Sequence, residues 1–349
     1  MPADRRAVPV SSLGDALDGL TLDSDGRIQQ ALVIVDLDGA ASQHELIRAA
    51  AALDRSVAVV VGIASRPTDV ALGELGAALD CTLVLDAAAD RWQVAVPDLD
   101  AALTVIADAV ARAPVAAVSL ARLLRQVEAL PVADGLAAES AVYSMLLAGA
   151  EFRGWLSAQP PRTAPRPQEP VLIERDGIEL TVTLNHPERH NAFSRWVRDG
   201  LVEAFDLVAA DDTLTRVVLC GAGQSFCSGG DLSEFGTSTD PAAAHLIRLD
   251  RSVAARLERC RDRVTVELHG ACIGAGIEIA SFAGHVRARR DARIELPELG
   301  MGLVPGAGGS VGISRRIGRW RTAYLVLTGE SLDPVRAAGW GLVDEVLSD

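Results

Sequence analysis

Short apolar runs alternate with helix-length amphipathic segments along this chain, and this alternation constrains the fold more than any other feature. In the first half, buried parallel strands are predicted at ALVIVDL (31–37) and SVAVVVGIA (56–64), with a helix near 43–53 between them. In the second half, the apolar runs 216–222 and 264–268 are each followed by a glycine-rich turn. Repeated β-α units of this kind predict an α/β fold.

The clearest boundary is the segment QPPRTAPRPQEP at 159–170, which holds five prolines. Closely spaced prolines favour a stiff, extended chain, so the segment predicts a linker between two halves. Before it we predict a third strand at 82–85 and helices near 99–112, 115–127 and 134–157. After it we predict a hairpin at 171–185, a strand at 285–290 and helices near 194–209, 240–260, from about 274, at 307–317 and at 319–328.

The formal net charge of −14 argues against nucleic acid as a partner, because binding a phosphate backbone needs a cationic face. The five cysteines show no paired or metal-ligand spacing, so we expect no metal site and a reducing, cytoplasmic location. No apolar run approaches the length of a membrane span, and the first twenty residues lack a signal-peptide core. We therefore expect a soluble intracellular protein that does not associate with membranes.

Three glycine-rich segments of the second half carry the residues suited to chemistry. The first is SFCSGGDL (225–232), in which a Gly-Gly turn leaves backbone N–H groups free. The second is HGACIGAGIEIA (269–280), which starts a helix with Glu278 in its first turn. The third is IELPELGMGLVPGAGGS (294–310), which contains Glu298. Taken singly, they are a tight turn, a glutamate that complements a helix dipole, and a charged loop.

Taken together, the three segments predict an oxyanion hole beside two carboxylates. Two N–H groups at facing turns would hold the charge that develops on a thioester oxygen, and one such donor contributes about 3–4 kcal/mol to a transition state. Of two glutamates in one cleft, one can hold a water molecule as a base. The other, with a pKa raised by burial, can donate a proton.

This combination resembles the crotonase (enoyl-CoA hydratase/isomerase) superfamily over residues 171–349. The resemblance includes HPERHNAFS (186–194), in the family's early CoA-binding position, and LTGESLDPVRAAGWGLVDEVL (327–347). It implies a crotonase-like (ClpP/crotonase) spiral of β-β-α units and a homo-oligomer, either a trimer or a hexamer. It also implies an enoyl-CoA hydratase that adds water syn through a stabilised enolate, with no cofactor besides the coenzyme A of its acyl-CoA substrate.

By the same resemblance, each part of the family's site has a counterpart in this sequence. The oxyanion hole would use the backbone N–H groups of Gly230 and Ala275, and Gly306 would help to hold the catalytic water. The catalytic glutamates would be Glu278 and Glu298. The residues that would bind the substrate are Arg189, His190, Ala192, Asp231 and Leu232.

Two positions depart from the family's pattern. Ala275 replaces the usual glycine, a mild change because its N–H remains. Glu267 places a charge where the family usually has a small residue. We favour a solvent-facing or paired side chain for Glu267, and the alternative is a third carboxylate near the pocket.

The family's C-terminal helices have no counterpart after the second half, whereas residues 98–158 resemble them. Residues 1–97 are loosely similar to a crotonase core and align Glu74 with Glu278, although we interpret Glu74 as an ordinary exposed helix residue. We therefore expect helices that fold over the second core, in cis or in trans. The expected regions are a degenerate crotonase-like region (1–97), the helical segment (98–158), the linker (159–170) and the catalytic core (171–349).

The reaction itself is not determined by the fold, because one superfamily site serves several chemistries. Both glutamates favour a hydratase. An enoyl-CoA isomerase, which needs only one base, is the nearest alternative. Another crotonase-type acyl-CoA lyase or hydrolase and a non-catalytic acyl-CoA-binding accessory subunit also stay open.

Overall fold

The computed structural model describes residues 6–18, 22–65, 70–85, 87–88, 90–163 and 166–348. Its strands are β1 (Val8–Pro9), β2 (Leu32–Asp36), β3 (Val59–Ala64), β4 (Cys81–Leu85), β5 (Gln93–Val96), β6 (Val171–Asp176), β7 (Glu179–Leu184), β8 (Arg216–Gly221), β9 (Val264–Leu268), β10 (Ala271–Ile273), β11 (His285–Ala288), β12 (Arg293–Glu295) and β13 (Glu345–Val346). Its helices are α1 (Val10–Asp18), α2 (Gln43–Arg55), α3 (Val70–Ala78), α4 (Leu99–Arg112), α5 (Pro114–Val127), α6 (Val132–Leu147), α7 (Ala150–Ser157), α8 (Arg195–Ala210), α9 (Pro241–Asp250), α10 (Val253–Cys260), α11 (Ala275–Ala280), α12 (Gly309–Ile317), α13 (Arg319–Thr328) and α14 (Pro334–Trp340), with short 3-10 turns at Pro187–Arg189, Arg261–Arg263 and Glu298–Met301.

The N-terminal region contains a parallel sheet in the order β1-β2-β3-β4-β5. Successive residues of its strands point to opposite faces of the sheet. On one face Leu32 and Ile34 pack with α4 and α5, and on the other Val33 and Val35 pack with α1 and α2. Both faces of the sheet are therefore covered, which explains the continuous apolar runs of β2 and β3. The predicted α/β class and the predicted strands near 31–37, 56–64 and 82–85 are confirmed.

The second half forms a sheet in the order β13-β11-β9-β8-β7-β6. Its neighbours are parallel except β6 and β7, which pair antiparallel from Val171↔Leu184 to Asp176↔Glu179. The predicted hairpin at 171–185 is therefore confirmed. A separate two-stranded parallel sheet, β10 with β12, lies beside the six-stranded sheet and carries two of the three glycine-rich segments.

Two helices predicted as continuous are broken in the structure. The predicted helix 134–157 is interrupted between α6 and α7 by Gly149, which is extended (φ −77°, ψ 161°). The predicted helix 240–260 divides into α9 and α10, because Ser252 caps a new helix by accepting the N–H of Ala255 at 3.1 Å. Within the described ranges, no single helix is long and apolar enough to cross a membrane, although α4 and α5, which meet at a bend of 109°, would qualify by length and composition if joined.

The N-terminal helices lie on the second half of the same chain. Helix α6 packs on α9 and α12, while α13 packs against α4, α5 and the edge of the first sheet. At this junction the buried carboxylate of Asp80 accepts a hydrogen bond from Arg125 at 2.5 Å, and Arg319 of α13 lies 3.9 Å away. One continuous core therefore joins the two halves in cis. The degenerate crotonase origin of residues 1–97 stays a prediction.

Candidate active site

Two of the glycine-rich turns lie side by side. Cys227 accepts the N–H of Ile273 at 2.9 Å and donates its own N–H to Ala271 at 3.0 Å, so the two segments form a short parallel bridge. Gly229 (φ +93°) and Gly274 (φ +49°) follow this bridge in conformations that favour glycine. A Cβ atom built on Gly274 would lie 3.8 Å from the Cα of Gly229, which shows how closely the turns approach.

The two predicted oxyanion donors both line the cleft formed by these turns. Asp231 donates to the carbonyl of Phe193 at 3.1 Å, which holds the turn around Gly230. Ala275 is the first residue of α11, so its N–H has no acceptor within the helix. Within the part of the chain that the structure describes, neither N–H donates to a protein acceptor. Both are free for a ligand oxygen.

The cleft itself has a volume of about 740 Å³ and is lined from both halves of the chain. The second half supplies Gly230, Ala275, Glu278, Glu298 and Gly306. The N-terminal helices α6 and α7 supply Tyr143, Leu147, Phe152, Arg153, Trp155 and Leu156. The predicted catalytic, oxyanion and water-holding residues are therefore brought together, with helices of the first half as one wall.

Glu278 lies in the first turn of α11 and is 2% exposed. Its Oε2 atom accepts the N–H groups of Ala307 at 2.7 Å and Gly309 at 2.9 Å. Burial raises the pKa of Glu278 to about 7, and the backbone N–H groups moderate that rise. Such a carboxyl group changes its charge near neutral pH, as a general base requires.

Glu298 opens the 3-10 turn Glu298–Met301 and is 6% exposed. Its Oε1 atom lies 2.6 Å from the position that a Cβ atom on Gly274 would take, so only glycine leaves room there. Its Oε2 atom is buried and has no hydrogen-bond partner among the described residues. Burial, followed by the negative charge of Glu278, raises the pKa of Glu298 well above its ordinary value. The unpaired oxygen indicates a place for water or substrate.

A third buried carboxylate, Glu139 on α6, was missed by the sequence reasoning. It is 2% exposed and accepts the N–H groups of Gly308 (2.7 Å) and Ser310 (2.9 Å) and the hydroxyl of Ser310 (2.5 Å). Burial, together with the charge of Glu278, raises its pKa to about 8. The sequence carries one signal for it, a single glutamate in the small-residue stretch G-L-A-A-E-S of a helix predicted to fold over the second core.

Two other glutamates considered from the sequence lie outside the cleft. Glu267 accepts a hydrogen bond from Arg287 at 3.0 Å on the neighbouring strand β11. The favoured interpretation of a paired side chain is confirmed, and the alternative of a third pocket carboxylate at this position is wrong. Glu74 is exposed on α3, as expected.

The five predicted substrate-binding residues divide into two groups. Asp231 and Leu232 line the cleft, whereas Arg189, His190 and Ala192 are absent from its wall. Arg189 pairs with Asp231 at 3.0 Å, and Nδ1 of His190 lies 3.1 Å from the hydroxyl of Ser225. These contacts hold the turn that carries Gly230, and Ala192 is buried behind it. Their role in binding substrate stays a prediction.

The cleft has a cationic wall that the sequence reasoning did not identify. The lining arginines are Arg153, Arg195, Arg198 and Arg248. Arg248 donates to the hydroxyl of Ser140 at 3.2 Å, and its guanidinium lies 4.8 Å from the ring centre of Tyr143. Arg195 is already paired with Glu234 at 2.9 Å and Arg198 with Asp199 at 2.8 Å. Arg153 and Arg248 therefore supply most of the local positive charge that this wall offers to an anionic ligand.

Comparison with known proteins gives matches that cover about half of the chain. A family model described as enoyl-CoA hydratase/isomerase matches residues 175–349. The 2,3-dehydroadipyl-CoA hydratase of Escherichia coli K12 is 32% identical over 176 residues, which are 50% of this chain and 68% of that protein. The 1,2-epoxyphenylacetyl-CoA isomerase of the same organism is 33% identical over 174 residues, 49% of this chain and 66% of that protein. A crystal structure of enoyl-CoA hydratase from Thermoplasma volcanium GSS1 has 35% identity and a TM-score of 0.48, covering 52% of this chain and 72% of that one.

Proposed function

This chain belongs to the enoyl-CoA hydratase/isomerase family, and we propose that it adds water across the 2,3 double bond of an enoyl-CoA thioester. The observation that carries the proposal is the pair of buried glutamates in one cleft, with Oε2 of Glu298 unpaired. Two unbonded N–H groups line the same cleft. Hydration needs a water site, an acid, a base and an oxyanion hole, and these groups can supply all four.

The thioester oxygen would accept the N–H groups of Gly230 and Ala275. As the nucleophile attacks the β-carbon, negative charge moves to this oxygen and an enolate develops. Two donors that are already oriented hold that charge without reorganisation, and each contributes about 3–4 kcal/mol to the transition state.

Water would be held between Glu278 and Glu298, with the N–H of Gly306 as a further contact. Glu278, whose pKa is about 7, can be ionised at neutral pH and takes one proton as the oxygen of water bonds to the β-carbon. Glu298, whose pKa is raised well above its ordinary value by burial and by the charge of Glu278, can carry the proton and would give it to the α-carbon. Addition of both groups from one side is syn, and the reaction uses no cofactor besides the coenzyme A of the substrate.

The walls of the cleft suit an acyl-CoA. The arginines of the cationic wall can approach the phosphates of coenzyme A. An aromatic cluster of Phe152, Trp155 and Phe235, with ring centres 5.8–6.3 Å apart, gives an apolar surface beside them. Two of these three rings come from α7, so the N-terminal half would take part in binding the substrate.

As part of the same proposal, we expect a homo-oligomer, a trimer or a hexamer, located in the cytoplasm. The family resemblance supports the oligomer, and the five cysteines without paired spacing support a reducing cytoplasm. Light scattering on the purified protein would measure the assembly, and a monomer would contradict it.

The second candidate function is isomerisation of an enoyl-CoA, in which one base moves a proton between two carbons. The family description supports keeping it, because it names both enoyl-CoA hydratases and isomerases. Two buried glutamates favour hydration, since a simple isomerase needs one. An accessory subunit without activity is disfavoured by the buried, unpaired oxygen of Glu298, which a purely structural role does not require.

The test is the loss of enoyl-thioester absorbance with crotonyl-CoA, a longer enoyl-CoA and an aromatic enoyl-CoA. We expect turnover by the wild type and a loss of kcat of roughly 10²- to 10⁴-fold in Glu278→Gln and in Glu298→Gln. A matched assay with a 3-enoyl-CoA, which gains absorbance on isomerisation, separates the alternatives. Isomerisation without hydration would replace the proposal, as would hydration that survives both substitutions.

A further inference from the structure

We propose that Glu139, in the N-terminal half, is a positioning residue of this active site. It would fix the segment 306–310, which carries the groups that hold both Glu278 and the reacting water. The inference rests on the proposed roles of Glu278 and Glu298. It assigns a function in the site to a helix from outside the 175–349 segment that matches the family model.

The backbone N–H groups of residues 307–310 donate alternately to two carboxylates. The odd-numbered pair donates to Oε2 of Glu278 at 2.7 and 2.9 Å. The even-numbered pair donates to Glu139, at 2.7 Å to Oε1 and at 2.9 Å to Oε2. The hydroxyl of Ser310 adds a third hydrogen bond to Glu139 at 2.5 Å. Because these donors alternate along one short segment, Glu139 and Glu278 orient the same stretch of backbone. A shift of the N–H groups bound by Glu139 would also shift those bound by Glu278.

Helix α6 contacts this segment and the start of α12 through a single face. Gly135, Glu139 and Tyr143 are spaced by four residues and so lie on one side of the helix. A Cβ atom on Gly135 would lie 3.0 Å from Val311, and one on Gly306 would lie 2.5 Å from the ring of Tyr143. Glu139 is thus held between two close contacts, and Tyr143 covers the peptide group proposed to hold water.

The charge of Glu139 also acts on the proposed acid. Once Glu139 is ionised, above its own pKa of about 8, its negative charge is one of the causes that raise the pKa of Glu298, after burial and the charge of Glu278. A protonated Glu298 is what the proposed proton donation requires. The same carboxylate would therefore position the segment and, on the alkaline side of pH 8, help to keep the acid protonated.

Glu151 on α7 provides a matched control. Its carboxylate accepts two backbone N–H groups, from Val115 at 2.8 Å and Ala116 at 3.0 Å, at the start of α5. It is not part of the cleft wall and does not contact the segment 306–310. Replacing it with glutamine makes the same chemical change, at a site that ties one N-terminal helix to another.

The experiment compares Glu139→Gln with Glu151→Gln in the full-length protein. For Glu139→Gln we expect kcat for enoyl-CoA hydration to fall roughly 10- to 100-fold, because small displacements of reacting groups are costly. KM should change by less than about threefold, since Glu139 makes no contact that coenzyme A needs. The alkaline limb of the pH–kcat profile should move to lower pH, because the acid loses a neighbouring negative charge.

Amide hydrogen exchange of the segment 306–310 gives a readout independent of turnover. We expect faster exchange in Glu139→Gln and unchanged exchange in Glu151→Gln. If the wild type hydrates no enoyl-CoA, the proposed function fails while exchange still decides whether Glu139 holds the segment. If both variants behave alike in kcat, pH profile and exchange, Glu139 has only a structural role and the inference is overturned.

A second variant covers the case in which Glu139→Gln does not fold. Ser310→Ala removes one of the three hydrogen bonds to Glu139 and keeps its charge. It should lower kcat by about threefold or more, speed exchange of the segment and shift the alkaline limb less than Glu139→Gln does, because the carboxylate stays in place. Wild-type kcat together with wild-type exchange in Ser310→Ala would overturn the inference.

Discussion

At the scale of single residues, the site depends on glycines that leave room for carboxylates. Gly274 has a positive φ of 49°, and a side chain there would meet Oε1 of Glu298. The requirement is steric as well as conformational, because the closest atom belongs to the proposed acid. The same turn must also present the N–H of Ala275 to the substrate.

We predict that Gly274→Ala lowers kcat for hydration by roughly 10- to 100-fold. The added Cβ would lie 2.6 Å from the carboxylate of Glu298, so that side chain must move. The matched control is Gly300→Ala, in the same turn as Glu298, where an added Cβ meets nothing within 4 Å. Equal kcat values for the two variants, measured with crotonyl-CoA, would contradict this account of Gly274.

At the scale of elements, a buried ion pair ties α13 to the N-terminal sheet. Asp80 accepts the N–H of Val60 at 2.8 Å and the guanidinium of Arg125, while Arg319 approaches it at 3.9 Å. Arg319 also donates to the carbonyl of Leu79 at 2.8 Å. The carboxylate therefore lies where the first sheet, α5 and α13 meet.

Replacing Asp80 with asparagine should destabilise the protein by about 3–5 kcal/mol, because the largely buried guanidinium of Arg125 loses its counter-charge, whereas Arg319 keeps Glu128 at 3.1 Å. KM for enoyl-CoA should be unchanged in the folded fraction, since Asp80 is not among the residues that line the cleft. The control is Asp15→Asn, which breaks the exposed pair with Arg48 and should cost less than about 0.5 kcal/mol. Urea denaturation of both variants measures the difference, and equal midpoints would refute the role of Asp80.

The strands and helices were predictable from the sequence wherever one local pattern decided them. The hairpin at 171–185 needed only two alternating runs and an Asp-Gly turn. The break between α9 and α10 was not predicted, because the helical spacing of apolar residues continues through it. The serine at position 252 that caps α10 is too common a residue to mark a break by itself. The short strands β10 and β12 were missed because three residues carry no detectable period.

At the scale of the whole molecule, the family resemblance placed Glu278 and Glu298 in the candidate site, and the structure brings them into one cleft. Glu139 could not be placed in the same way, because its contacts lie 169 and 171 residues away along the chain. No local spacing links a helix before the linker to the loop at 306–310. Such a contact depends on how the two halves pack together.

Three buried glutamates make the stability of the whole chain depend on pH. In the folded protein the pKa of Glu278 is about 7 and that of Glu139 is about 8, while unfolded glutamate titrates near 4.5. Between these values the folded state binds more protons than the unfolded state. These groups therefore make the free energy of unfolding fall as pH rises from about 4.5 towards 8, and their stabilising contribution is greatest on the acid side of this window.

We predict that the unfolding free energy of the ligand-free protein falls by several kcal/mol between pH 5 and pH 8, since raising one pKa from 4.5 to about 7 corresponds to about 3 kcal/mol. Glu278→Gln should reduce this slope, because its amide cannot titrate. Glu74→Gln, on the exposed part of α3, should leave the slope unchanged. Urea denaturation at intervals of half a pH unit measures all three proteins. A wild-type stability that is constant or rises over this range would mean that these carboxyl groups are ionised in the folded protein with pKa values close to those of the unfolded chain. In that case Glu298 could not be the protonated acid that hydration requires.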